Sequence, residues 1–200
     1  MRKFLSAPER ALSADSQLLS DLIYGWGNES WSALNEYLAA CISHALQTDG
    51  EILECGSGLS TLLVGAAAKY RGARHVALEH NAEWADRVRK QLARFKIDSV
   101  TLVCDPLKDY GEFVWYDMSN APDVHGYTMV ICDGPPGTTK GGRYGLVPIM
   151  REKLRSGAQI LLDDAGRAEE QEIAARWQTE MPATCEFIGK SKPFIKITVE

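Results

Sequence analysis

EILECGSGLS, residues 51–60, is the stretch whose reading decides the fold. Ile52 and Leu53 make a short apolar strand that ends at Glu54; the chain then turns through Gly56, Ser57 and Gly58, and a helix opens near Ser60. Glycine at alternate positions lets the backbone turn tightly and come close to a ligand, because no Cβ stands in the way. The helix N-terminus beside the turn offers unpaired N–H groups and a positive dipole end to an electron-rich partner. Taken alone, such a turn serves equally well to join a strand to a helix.

Downstream the same alternation repeats. Residues 61–70 (TLLVGAAAKY) are apolar on nearly every side, which predicts a helix buried against a sheet, and Gly72 closes it. A second strand, 75–79 (HVALE), ends in Glu79. Asn81 can cap the next helix, where Trp84, Val88, Leu92 and Phe95 share one face and Arg87, Arg89, Lys90 and Arg94 form a solvated side. The third strand, 99–104, leads into Asp105, and 113–116 (FVWY) reads either as a short strand or as an aromatic loop. The fourth, 128–132, runs into Asp133-Gly134-Pro135-Pro136-Gly137, whose prolines and glycines force a sharp exit from the sheet. A helix is expected from about Val147, with Pro148 in its first turn, Met150 and Leu154 on its buried side and Gly157 at its end. The fifth strand, 159–162, meets Asp163-Asp164; a helix over 169–179 and two strands, 185–188 and 194–199, complete the chain.

Upstream of the turn, residues 1–12 read as an irregular start. Leu18, Leu19, Leu22 and Ile23 mark a helix over 13–24 that stops at Gly25, and Trp31, Leu34, Leu38, Cys41, Ile42 and Ala45 form one face of a second, ended by Gly50. Residues 1–49 are thus a helical extension on a single domain spanning 1–200, either a packing layer or a cover over the sheet's ligand edge. Two hundred residues can bury a sizeable core, and 45% hydrophobic with 24% charged residues is ordinary for a globular protein. A net charge of −5 without a Lys/Arg run gives no reason to expect a nucleic-acid or anionic-membrane partner. Cys41, Cys55, Cys104, Cys132 and Cys185 lack metal-type spacing and read as reduced core thiols. No signal-like or membrane-spanning apolar run is present, so the cytoplasm is the expected address.

The alternation predicts an α/β fold with a doubly wound, mostly parallel seven-stranded sheet and an antiparallel C-terminal hairpin, whose ligands bind outside the strands' carboxyl ends. Glu54, Glu79, Asp133 and Asp163 all stand at such ends. Glu79 follows the glycine turn at about the spacing from which an acid reaches a ribose diol, and a carboxylate accepts from both hydroxyls. That much suits any adenosine-containing cofactor.

In these residues the chain resembles the class I S-adenosylmethionine-dependent methyltransferases, over roughly residues 50–200. Glu54-Cys55-Gly56-Ser57-Gly58 matches their first motif, Glu79 their ribose-binding acid, Asp105 their adenine-side position and Asp133 their motif after strand four. Ser60 departs from the pattern, since many members have a third alternate glycine there. The resemblance implies a Rossmann-like methyltransferase fold, S-adenosylmethionine as cofactor, Gly56, Ser57 and Gly58 along its methionine part and Glu54 near its ammonium. A narrower resemblance, to metal-dependent catechol-type O-methyltransferases, implies that Asp133, Asp163 and Asp164 hold a Mg²⁺-like ion. Against that pattern, Asp164 stands where that group has asparagine, and the Gly-Pro-Pro-Gly loop differs.

Methyl transfer to a small-molecule hydroxyl is the resulting expectation. Asp133 and Asp163 are the catalytic acids, Lys140 is a general base or a solvated loop lysine, and Trp26–Trp31, Trp115, Tyr116 and Lys140–Tyr144 are the acceptor-side candidates. A nicotinamide-dependent oxidoreductase would use the same edge, but its fingerprint wants glycine where Thr61 stands. A cofactor-binding module without catalysis is the third reading, and the presence of Asp133, Asp163 and Asp164 together speaks against it.

Overall fold

The computed structural model describes residues 1–27 and 33–200. The N-terminal segment comprises α1 (Arg2–Ser6), a 3₁₀ turn (Pro8–Ala11), α2 (Gln17–Trp26) and α3 (Asn35–Gln47). Then come β1 (Glu51–Cys55), α4 (Leu59–Arg71), β2 (His75–Glu79), α5 (Ala82–Phe95) and β3 (Val100–Cys104). A small hairpin, β4 (Leu107–Asp109) and β5 (Val114–Tyr116), precedes β6 (Tyr127–Cys132), α6 (Leu146–Met150), β7 (Leu154–Leu162), α7 (Ala168–Glu180), β8 (Ala183–Ile188) and β9 (Phe194–Val199).

The seven-stranded sheet has the order β3-β2-β1-β6-β7-β9-β8. Its first five strands run parallel, and β9 lies antiparallel to both β7 and β8. Side-chain alternation along the strands builds two cores. Ile52, Met129, Ile131 and Leu161 face α3, α4 and α5, whereas Leu53, Val76, Val130 and Ile160 face the hairpin, α6 and α7. Helix α4 is buried from Leu59 to Ala68 because the sheet covers one side and α3 the other, which is why its sequence is apolar all round. The helical extension is therefore a packing layer over α4, and its last described residues before the gap, Trp26 and Gly27, reach toward the glycine turn. Trp26 meets the Trp84 ring edge-on at 5.8 Å, and the Trp84 indole N–H donates to Ser57 O at 2.7 Å.

Several boundaries differ from expectation. Residues 1–12 are not irregular: Phe4 and Ala11 are wholly buried beneath α1 and the 3₁₀ turn. Helix α2 runs through Gly25 and stops at Gly27, the residue with left-handed φ. The second helix begins only at Asn35, and Trp31 lies outside the described residues. The helix after Pro148 is one short piece ending at Met150, and Leu154 starts β7 instead of continuing it. Gly157, expected to end that helix, sits inside β7 at φ +83, where the register with β6 slips between Tyr127–Leu154 and Met129–Gln159. A bulge of this kind needs a residue that tolerates positive φ. Residues 113–116 resolve as the strand alternative.

Candidate active site

At the carboxyl edge of the sheet the loops after β1 and β6 lie backbone to backbone. A Cβ on Gly56, itself at φ +88, would come within 3.0 Å of Gly134 N, and one on Gly134 within 2.9 Å of Gly56 Cα. Gly56 thus serves the packing of the two loops. Gly58 is different: a Cβ there would meet nothing within 4 Å, so the open face of the turn is at Gly58.

Glu79 is nearly buried and well supplied with donors. Its Oε2 accepts from Ser57 N at 3.1 Å and Ser57 Oγ at 2.7 Å, and its Oε1 from His80 N at 2.8 Å and Asn81 N at 2.9 Å. Burial pushes this carboxyl up, but the hydrogen bonds from His80, Asn81 and Ser57 outweigh it and hold the group below the usual carboxylate range. Asp105, beyond the end of β3, accepts from Asn120 Nδ2 at 2.9 Å through Oδ1, while its Oδ2 is buried without a partner. Tyr116 Oη, beside Gly134, is likewise buried and unpartnered. Unpaired buried acceptors and hydroxyls are costly, so such atoms mark where a ligand's donors would be satisfied. Glu54, near the end of β1, lies on the other face of the sheet from Leu53. It points into the α4 side of the sheet, wholly buried, accepting from Ser60 Oγ at 2.5 Å with His75 Nε2 2.9 Å from its other oxygen. It therefore ties the end of β1 to the first turn of α4 through Ser60 and lies against His75 of β2.

Asp133, Asp163 and Asp164 do converge: an oxygen from each lies within 4.8 Å of the others. Two cations have converged with them. The Arg143 guanidinium, 3% exposed, donates to Asp133 Oδ1 at 2.9 Å, Asp164 Oδ2 at 2.7 Å and the carbonyls of Asp133 and Asp163, with Glu170 Oε1 at 3.5 Å. Lys192 Nζ stands 3.2 Å from Asp163 Oδ2 and 3.1 Å from Asp164 Oδ1. Arg167 adds an ion pair to Asp164 at 3.0 Å. Four acids (Asp133, Asp163, Asp164 and Glu170) thus face three cations. Burial, then the neighbouring acids, pushes Asp133 above the usual carboxylate range; burial raises Asp163 and Glu170 too, while Asp164, also subject to burial, is held low by Arg143 and Lys192. Asp163 Oδ1 and Glu170 Oε2 are buried without a hydrogen-bond partner.

Arg143 and Lys192 already hold Asp133 Oδ1, Asp163 Oδ2 and both oxygens of Asp164, so a divalent ion would have to compete with two resident cations, although Asp163 Oδ1 has no partner.

Lys140 is not brought to the acids: it is exposed on the β4–β5 hairpin, its ammonium against Gly111 O and 3.6 Å from Asp109. Trp115 is wholly buried, and Tyr144 packs under Arg176 with its hydroxyl on Glu180, so both belong to the core. Of the 26–31 stretch, Trp26 stands near the glycine turn and 28–31 lie outside the described residues. The sequence reading missed Lys192, Glu170 and the part played by Arg143. Buried acids need paired cations, so several strand-end acids were themselves a signal to look for basic partners. Nothing in the run GKSKP distinguishes Lys192 from a solvated turn lysine.

No protein-family model matches the chain, and no curated protein sequence does. Solved structures match its fold. An SAH-bound methyltransferase from Podospora anserina is 16% identical with a TM-score of 0.65, covering 95% of this chain and 88% of that one. The O-methyltransferase TomG from Streptomyces achromogenes, in complex with SAM, is 14% identical at 0.64, covering 92% and 90%. A putative caffeoyl-CoA O-methyltransferase from Staphylococcus aureus is 15% identical at 0.63, covering 98% of each chain. At these identities the likeness is one of fold: the chain has the Rossmann-like, seven-stranded methyltransferase fold that its motif order implied.

Proposed function

We propose that the protein transfers a methyl group from S-adenosylmethionine to a hydroxyl of a small molecule. The observation that carries this reading is the set of unmet polar groups at the edge where the glycine turn opens. Asp105 Oδ2 is buried without a donor, and Gly58 leaves free space in the chain's first βα turn, two strands along the same edge. Asp105 would accept from the adenine amino group and Glu79 from the ribose diol, with Ser57 Oγ turning away to release Oε2. Gly58 would let the methionine part approach the backbone. The bound cofactor supplies an electrophilic methyl on a sulfonium, and transfer breaks one C–S bond as a bond to the acceptor oxygen forms. The fold neighbours that hold SAH and SAM support the same choice.

What the chain must add is alignment and a place for the acceptor's proton. Asp133 is suited to the second task. Its side chain is 23% exposed, Oδ1 is fixed by Arg143, and the raised affinity of the carboxyl for protons brings it toward the working range of a general base. Asp163, wholly buried, holds Lys192 and sits behind it. A pyrophosphate-bearing dinucleotide fits less well, because Gly58 N–H is already bonded to Thr61 Oγ1 at 2.8 Å and acids line the edge. Calorimetric titration with S-adenosylhomocysteine and with NAD separates the two. The proposal expects micromolar binding of the first, about −8 kcal/mol, and weak or absent binding of the second. Tighter binding of NAD would refute it.

A further inference from the structure

Lys192 lies in the turn between β8 and β9, which meets the carboxyl end of β7 where Leu162 pairs with Ile195. It is held from two directions. The Glu36 carboxylate of α3 accepts the backbone N–H groups of Lys190 at 2.9 Å, Ser191 at 3.1 Å and Lys192 at 3.4 Å, which fixes the turn. Asp163 and Asp164 hold the ammonium. An ammonium has three N–H donors, and these two acids take two. Its side chain is 29% exposed, whereas Arg143 is sealed; Arg167, 53% exposed, reaches only Asp164 and Glu170, so Lys192 is the partly open cation that also holds Asp163.

We infer that Lys192 presents its remaining N–H to the acceptor's oxygen, and that Lys192 and Arg143 together supply the positive charge that a divalent ion supplies elsewhere. This rests on the proposed methyl transfer and narrows it: the acceptor is an ionisable hydroxyl of the phenol or catechol class, and the site works without a metal. As the O–H bond breaks, the proton goes to Asp133 and the charge left on oxygen is met by Lys192. Asp163 and Asp164 keep the ammonium charged and aimed, since proximity of both raises its affinity for the proton against the opposing effect of burial.

The test uses the whole chain, Lys192→Met and Lys192→Arg, each saturated with S-adenosylhomocysteine and titrated with 4-nitrocatechol, whose visible absorption reports its own ionisation. The wild type and Lys192→Arg should bind the probe as its anion, with its apparent acidity raised about tenfold over the free probe, and Lys192→Met should lose that gain. Magnesium chloride at about 10 mM should leave the wild-type melting point unchanged, because only a ligand of the folded state shifts it. Equal ionisation in wild type and Lys192→Met, no bound anion in the wild type, or stabilisation by magnesium would each overturn the inference. The calorimetry separates the two failures. If S-adenosylhomocysteine binds all three proteins alike and the probe does not discriminate them, Lys192 has been misassigned; if it binds none, the cofactor reading falls first.

Discussion

Substituting alanine at the two glycines of the β1–α4 turn should have opposite consequences, and the structure fixes why. At Gly56 the new methyl is held at φ +88, which costs an L-residue about 1–2 kcal/mol. It also lands 3.0 Å from Gly134 N and 3.1 Å from Gly134 Cα, backbone atoms that cannot rotate aside, and overpacking of that kind costs about 1–3 kcal/mol. The sum, about 2–5 kcal/mol, corresponds to a fall in melting point of roughly 5–15 °C in a chain of this size. At Gly58 the φ is −178, extended backbone open to any residue, and the methyl meets nothing. Loss of glycine's unfolded-state freedom then leaves stability level or up by about 0.4–1 kcal/mol. The open space it fills is where the cofactor's methionine part is proposed to lie, so S-adenosylhomocysteine should bind at least about tenfold more weakly, some 1.4 kcal/mol. Differential scanning calorimetry and binding calorimetry on both variants read the contrast. Unweakened binding by Gly58→Ala would show that this face is not the ligand face, and an unchanged melting point for Gly56→Ala would refute the account of the loop contact.

The acid cluster makes a pH prediction. A carboxyl whose folded-state pKa is raised contributes stability that is fully present below its unfolded value near 4 and is lost as pH climbs through the folded value. Asp133 is such a group, so the melting point of the wild type, taken relative to Asp133→Asn, should fall as pH rises from about 5 to about 8. A constant or rising difference would show that Asp133 ionises freely; the subtraction removes His44, whose burial-lowered pKa acts in the opposite sense at low pH. Glu36→Ala should free the β8–β9 turn, read as faster amide exchange at Lys190, Ser191 and Lys192 with the sheet still protected. Unchanged exchange there would mean that Glu36 does not hold the turn.

What the sequence disclosed and what it hid follow from the range of the forces involved. The strands, the glycine turn and the acids at strand ends were legible because alternation, turn residues and caps act over a few positions. Asn81 capping α5 through Trp84 N–H is one such case. Leu154 misled because it keeps helical spacing from Met150 and Val147; the end of the helix is set by the demand of β6 for a neighbour, which is not local. Phe4 and Ala11 looked like parts of an irregular start, yet they are buried in the core that includes α4. The site was half visible. Asp133, Asp163 and Asp164 come together as expected, but the partners that neutralise them arrive from a loop and a hairpin 10 to 29 residues away in sequence, and only the folded arrangement reveals them. Which face Glu54 takes was legible too: side chains alternate across a strand, and its parity with Ile52 sends it to the face covered by α3, α4 and α5.

A crystal structure with S-adenosylhomocysteine bound is the most direct trial of the central claim. The adenine amino group should donate to Asp105 Oδ2, the ribose hydroxyls should lie on Glu79, and the amino-acid portion should pass over Gly58 toward Asp133. Ligand seated instead in the hollow between α2, α4 and α5, lined by Leu22, Trp26, Leu59 and Arg87, with Asp105 Oδ2 still unpartnered, would contradict it.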